Sequence, residues 1–398
     1  MANCAVYLSK PGIVCAAGLS LDQVWETALK GSNENLKKVS IPGGKTFYAG
    51  IIDDSKLSPV DYDYDMKSLR VEDAALNQIA TDVEKVIQKY GADRIGVCIG
   101  SCDNGSSISV AAHKEFFESQ KFPKDYDLAI QAASLPAEFA SKKFGIKGPS
   151  LGFATACSSG GSALIKAAQY VKSGICDAVI AGGMDMAGEV VITGFNGLEA
   201  VSPEKTIPFS ANRSGINLGD GAAFFIVTRE PLEGGEEIQL LGYGESADAD
   251  HMTAPKADGS GAAQAMNEAL KKAALTADSI DYINLHGTGT HLNDSMEALG
   301  VKTVFPDRYE EIPVSSTKGI MGHTLGAAGA VEAALCWEVV AQKSKKLPVH
   351  VWDKVREETM PHLHFVEKDE ECKNPAKICM SNSFAFGGCN VCLIIGKK

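Results

Sequence analysis

The sequence predicts an α/β fold of helix-covered sheets, and three observations carry that prediction. Short β-branched runs alternate with alanine-rich helical stretches, the pattern of largely parallel strands with helices on their faces. Glycine is abundant, 40 of 398 residues, which suits tight turns and close backbone contacts. Cysteine, histidine and lysine fall in glycine- and hydroxyl-rich turns between these elements, and loops on a rigid scaffold are where chemistry concentrates.

Taken in order, strands are expected at 95–100, 177–181, 224–228, 238–243, 281–286, 377–382 and 391–396. Helices are expected at 162–173, 262–273, 296–304 and 327–342, and Gly174 supplies a C-terminal stop for the first. The two halves look alike in outline, each with a strand, a reactive turn, a helix and a closing strand. With Glu233-Gly234-Gly235-Glu236 as the joint, the expected division is residues 1–234, carrying the cysteine turn, and 235–398, carrying both histidine turns. The run Glu367-Lys368-Asp369-Glu370-Glu371 reads as a solvated loop.

Composition bounds the function. An apolar fraction of 45% with 22% charged residues is that of a globular protein with ample core. A net charge of −12 argues against broad nucleic-acid binding, which needs a basic surface. An acidic partner would need a local basic patch, for which Lys67 with Arg70 and Lys121 with Lys124 are candidates. The N-terminus, Met1-Ala2-Asn3-Cys4-Ala5, does not read as a signal peptide, and no run has the length of a membrane span. Eleven scattered cysteines, an odd number, favour free thiols in a reducing cytoplasm. Cys389-Asn390-Val391-Cys392 lacks a second pair, and His362-Leu363-His364 is weak as a metal pair, so no metal site is expected. The glycines at Gly319 and Gly322, and those from Gly215 to Gly221, lack the spacing of phosphate or dinucleotide loops.

Four residues stand out. Cys157 lies in Thr155-Ala156-Cys157-Ser158-Ser159-Gly160-Gly161, between an apolar segment and a small-residue helix. A strand-turn-helix reading puts its sulfur at a helix N-terminus, where the dipole favours thiolate and lowers the thiol pKa. His286 ends an apolar strand and opens Gly287-Thr288-Gly289-Thr290, whose Thr288 and Thr290 can hydrogen-bond an extended amide-bearing ligand. His323 closes Ser316-Thr317-Lys318-Gly319-Ile320-Met321-Gly322 ahead of a second small-residue helix. If Lys318 is buried it needs an anionic partner, and Glu297 or Asp294 is expected to supply it. One nucleophile and two imidazoles on separate turns suggest carbon–carbon bond chemistry on a thioester.

Together these motifs resemble the β-ketoacyl-acyl carrier protein synthases of the elongating type, members of the thiolase-fold superfamily. The likeness runs from Pro11-Gly12-Ile13-Val14 and Val24-Trp25-Glu26 to Asn382-Ser383-Phe384-Ala385-Phe386-Gly387-Gly388. It implies a five-layer αβαβα fold of two similar halves. It also implies a dimer, either with itself or with a ketosynthase-like paralogue, that works with acyl carrier protein and needs no cofactor beyond the carrier's phosphopantetheine. By this resemblance Cys157 accepts the acyl group, and neutral His286 and His323 stabilise the enolate formed as malonyl thioester loses carbon dioxide. The amides of Cys157 and Phe386 then hold the oxyanion. Lys318 orders the site with Glu297 as partner, Thr288 and Thr290 bind the phosphopantetheine arm, and Phe386 gates the nucleophile. The alternative is a non-catalytic chain-length or scaffold subunit, whose signature would be loss of the nucleophile. The elongation served is that of fatty acids or of polyketides and aryl polyenes, and three departures from the family pattern put ordinary fatty-acid housekeeping in doubt: Ala385 in the gate, where a methyl group restricts positive φ, Ile216, and Cys389.

Overall fold

The computed structural model describes residues 5–103 and 105–397; the Met1–Cys4 part of the N-terminal reading lies outside them. Strands in chain order are β1 (Tyr7–Leu8), β2 (Gly12–Cys15), β3 (Lys37–Ser40), β4 (Thr46–Gly50), β5 (Ile95–Gly100), β6 (Ser150–Phe153), β7 (Ala178–Asp185) and β8 (Leu218–Gly219). They continue with β9 (Gly221–Thr228), β10 (Gln239–Ala247), β11 (Tyr282–Asn284), β12 (Pro313–Ser315), β13 (His364–Phe365), β14 (Ile378–Phe384) and β15 (Cys389–Gly396). Every expected strand is present within a few residues. Two of the long strands, β7 and β9, are buried at every position, as strands covered on both faces must be.

One sheet of 12 strands runs in the order β13-β12-β11-β14-β15-β10-β1-β9-β7-β5-β6, with β2 on β9. Its two ends repeat one pattern. β5 pairs in parallel with β6 and β7, and β7 then pairs antiparallel with β9. In the same way β11 pairs in parallel with β12 and β14, and β14 pairs antiparallel with β15. Between the two parallel strands of each end runs a helix, Ser159–Ser173 and Ala328–Gln342 respectively.

Those two helices meet in the middle of the molecule, packed against strands from both ends of the sheet. Small residues make the approach possible, since a Cβ on Gly329 would come within 2.8 Å of the Gly161 nitrogen. Ala328–Gln342 is buried along nearly its whole length, which explains an apolar sequence with no polar face. Ser260–Ala273 covers β10 and β15 on one outer side, and Lys67–Asn77 covers β2 and β9 on the other. The helix 162–173 stops at Gly174, which adopts φ 74° and ψ 13° as a left-handed cap.

The candidate basic patch at Lys67 and Arg70 is already neutralised. Lys67 pairs with Asp220 at 2.7 Å, and Arg70 pairs with Asp65 at 2.7 Å and Asp54 at 2.9 Å. Lys121 and Lys124 are exposed. Every cysteine among the described residues is a free thiol. His364 is tied to Glu370 at 2.7 Å and to the Glu311 carbonyl. Among the described residues no helix is long and apolar enough to cross a membrane.

Candidate active site

Cys157 sits in a single turn, Ala156–Ser158, that runs directly into the helix Ser159–Ser173. Ala156 is held at φ 51°, a left-handed state that costs a non-glycine residue about 1–3 kcal/mol. Hydroxyl groups hold it there: Ser158 donates to the Thr155 carbonyl at 2.7 Å and Ser159 to the Ala156 carbonyl at 2.6 Å, while the Thr155 amide donates to Ser159 Oγ at 2.9 Å. The matching turn Leu325–Ala327 precedes the other central helix, and Leu325 also has φ 51°.

His286 follows β11. Its amide and that of Gly287 donate to the two carboxylate oxygens of Glu297, at 2.8 and 2.7 Å. Asn382 donates to the same carboxylate at 3.2 Å. The next amides, Thr288 and Gly289, donate to Asp294 at 3.0 and 3.2 Å. Two acidic residues on the helix His291–Val304 thus satisfy the amides of the histidine turn. On the other side, the His323 amide donates to the Asn217 carbonyl at 2.7 Å.

The expectation that Glu297 or Asp294 partners Lys318 is therefore corrected: both carboxylates are committed to backbone amides. Lys318 pairs with Glu332, and the two side chains are 2% and 3% exposed. Glu332 was missed by sequence reasoning, although the helix 327–342 that carries it was expected. The signal was present, a lone carboxylate in the apolar stretch Ala330-Val331-Glu332-Ala333-Ala334. Asp185 was missed as well; it is fully buried and accepts from the amides of Cys102 (2.8 Å), Asp103 (3.1 Å) and Gly326 (2.8 Å), tying together the loops around Cys157.

The fold brings the sequence candidates together. Ligand atoms of Cys157, His286 and His323 all lie within 4.8 Å of one another. The imidazole rings are 5.1 Å apart and edge-on at 85°. His323 Nδ1 accepts from the Leu325 amide at 3.1 Å, so the neutral ring carries its proton on Nε2, which is buried without a protein partner. That N–H is a preorganised donor for a ligand oxygen. A thiol and two imidazoles are also zinc-type donors, but the protonated Nε2 is the wrong tautomer for a metal ligand.

Electrostatics follow from burial. Desolvation pushes both imidazoles well below their ordinary pKa; the nearby Lys318 cation pushes in the same direction, and His323 adds to the effect on His286. Burial also pushes the Cys157 thiol up to about 12, with Lys318 opposing. The expected lowering at the helix N-terminus is thus overturned: burial is the larger effect, and the resting group is a thiol.

These side chains open on a cavity of about 290 Å³, lined also by Thr288, Thr290, Ile216, Phe195, Phe384, Ala385 and Phe386. Thr288 and Thr290 pair through their hydroxyls at 2.9 Å. Phe386 stacks on Phe195 at 5.6 Å. Ala385 lies in extended backbone at φ −107°, and the positive φ falls on Gly387 and Gly388. The expected restriction by the Ala385 methyl group therefore does not arise in this conformation.

Comparison with known proteins agrees with this geometry. The profile of the β-ketoacyl synthase N-terminal domain matches residues 68–232, and that of the C-terminal domain matches 238–350. The chain is 30% identical to a 3-oxoacyl-[acyl-carrier-protein] synthase 2 of Staphylococcus aureus over 427 aligned positions, covering 99% of both proteins. It is 30% identical to the protein of the same name from Coxiella burnetii, covering 98% of both. Among solved structures, it resembles a ketosynthase in complex with its chain length factor from Xenorhabdus doucetiae, with 36% identity, a TM-score of 0.91 and coverage of 99% and 98%. A β-ketoacyl synthase from Burkholderia phymatum gives 27% identity, a TM-score of 0.84 and 99% coverage of each chain.

Proposed function

Because this chain belongs to the β-ketoacyl synthase family, we propose that Cys157, His286 and His323 carry out the family's condensation in two steps. The protein is an acyltransferase that condenses malonyl-acyl carrier protein with an acyl group, releasing carbon dioxide. In the first step the Cys157 sulfur attacks the acyl thioester, and its proton passes to the departing carrier thiol. The helix N-terminus and Lys318 favour the transient thiolate, while the amides of Cys157 and Phe386 receive the oxyanion. In the second step the carbon–carboxylate bond of malonyl thioester breaks. The electron pair forms an enolate whose oxygen takes hydrogen bonds from His286 and His323. The carbanion then attacks the acyl-Cys157 carbonyl and the thiolate leaves, taking one proton from solvent in place of the one lost to the first carrier thiol. Thr288 and Thr290 hold the phosphopantetheine arm at the mouth, and the protein itself carries no cofactor. The observation that carries this reading is the convergence of one thiol and two neutral imidazoles on one cavity.

Protonating His323 would set a second N–H against the Leu325 amide that its Nδ1 accepts from and so turn the ring, which makes the pH response a test. An ordinary histidine, with a pKa of about 6.5, is only about one-tenth neutral at pH 5.5. Here both values lie well below the ordinary one, so the neutral form persists as pH falls through that range. Malonyl decarboxylation is expected to hold level from pH 8 to 6. A stopped assay showing an acid limb centred near pH 6.5 would contradict the assignment.

The pathway we favour is specialised polyketide or aryl-polyene elongation, in the cytoplasm, as a heterodimer with a ketosynthase-like paralogue. The 36% identity to a ketosynthase that pairs with a chain length factor supports this. So does the edge strand β6, which pairs only with β5 among the described residues and leaves its outer edge available. The test is to purify the chain alone and with a coexpressed paralogue, then supply acyl and malonyl carrier proteins. Equimolar carbon dioxide and 3-oxoacyl carrier protein are expected. No product in either form would favour the scaffold subunit.

A further inference from the structure

A third buried histidine, His350, makes both of its ring hydrogen bonds to segments that bear the active site. Its Nδ1 accepts from the Ser316 amide at 3.0 Å, which leaves the proton on Nε2 to donate to the Pro208 carbonyl at 3.0 Å. The ring is stacked on Phe365 at 4.3 Å and flanked by Trp352 and Phe209. Burial holds the imidazole near a pKa of about 3, so the neutral tautomer is fixed.

Two paths lead from this ring to the His286 turn. Through Ser316, the hydroxyl donates to the Gly287 carbonyl at 2.7 Å and accepts from the Lys318 amide at 3.3 Å. Through Pro208, the next residue, Phe209, donates its amide to Asp294 at 2.7 Å, and Asp294 in turn holds Thr288 and Gly289. The two paths close into one circuit. Phe209 is kept within it at φ 62°, a conformation that persists only when its surroundings over-determine it. There is no slack, because a Cβ on Gly287 would lie 2.5 Å from Ser316 Cβ and 2.8 Å from Phe209 Cε2.

We propose that His350 is a positioning residue that sets the spacing between the His286 turn and the Lys318–His323 turn, and hence the convergence of the two imidazoles on the malonyl thioester. The proposal rests on the decarboxylating reading above. Wild-type protein must therefore first release carbon dioxide from malonyl carrier protein and load Cys157; failure there sinks that reading and leaves this one aside.

The test separates the two links of the ring. His350→Asn puts a carboxamide oxygen where Nδ1 was and keeps the Ser316 contact. His350→Gln puts an amide nitrogen where Nε2 was, keeps the Pro208 contact and loses Ser316. Ser316→Ala cuts the same path from the other side. His350→Gln and Ser316→Ala are expected to lower kcat for malonyl decarboxylation by about tenfold to a hundredfold, the scale of a sub-ångström to ångström misplacement. KM and the rate of Cys157 acylation are expected to stay close to wild type, and His350→Asn to retain most of the activity. Decarboxylation at the wild-type rate in His350→Gln would overturn the proposal. So would a parallel loss of both half-reactions that tracks the folded fraction by circular dichroism. If His350→Gln does not fold, Ser316→Ala decides by the same split.

Discussion

Replacing Cys157 by alanine is expected to lower condensation by at least about a thousandfold, because the proposed mechanism carries the acyl intermediate on its sulfur. The effect should be confined to acyl transfer. His286 and His323 are anchored by Glu297 and by the Leu325 and Asn217 backbone, contacts that do not involve the thiol. Carbon dioxide release from malonyl carrier protein alone should therefore persist in the variant. The thiol is 7% exposed, and alanine fills most of its space, so the fold should hold. Retained 3-oxoacyl formation would remove Cys157 from the mechanism, and simultaneous loss of decarboxylation would show that the two steps are not separable.

The second large effect concerns Lys318. Lys318→Ala leaves Glu332 buried without its cation, and breaking such a pair costs about 3–5 kcal/mol. Burial already pushes the Glu332 carboxyl up to about 7 against the opposing lysine. Without the lysine it rises further, so the folded variant takes up a proton. A carboxyl with a raised folded pKa favours the folded state below its unfolded value, about 4.3, and that contribution is lost as pH rises through the folded value. The deficit against wild type should thus be small near pH 5 and grow towards pH 8, read by chemical denaturation at each pH. Lys318→Met with Glu332→Leu should recover most of the stability. Activity should stay at least about tenfold down, since the charge that depresses the imidazoles and opposes the high thiol pKa is gone. A Lys318→Ala deficit under about 1 kcal/mol at pH 8 would mean that the pair behaves as an exposed one.

How much of this was legible in the sequence differs by residue. The long strands β7 and β9 were readable because strands covered on both faces are continuous apolar runs. The small sheet of β3, β4 and β8 was not, since Lys37–Ser40 is mostly exposed and β8 is two residues long. Cys157, His286 and His323, which the structure brings together, were legible as candidates because each sits in its own glycine-rich turn. The lysine's partner was misassigned because Asp294 and Glu297 were the carboxylates at hand on a neighbouring helix and the family resemblance pointed to Glu297. The structure spends those carboxylates on the orphan amides of the His286 turn, a demand set by loop geometry that no spacing rule shows. The sign of the Cys157 pKa was misjudged for a related reason. A helix N-terminus can be read from sequence, whereas burial by two central helices and a sheet depends on long-range packing. His350 left no signal at all, because its partners lie 34 and 142 residues away.

The most direct test of the account is intact-mass and peptide mass spectrometry of the protein after acyl carrier protein thioesters and then malonyl carrier protein. The account predicts one acyl group, located on the peptide containing Cys157, that disappears with release of carbon dioxide when malonyl carrier protein is added. An acyl group on another cysteine such as Cys102, or an adduct on Cys157 that malonyl carrier protein fails to discharge, would contradict it.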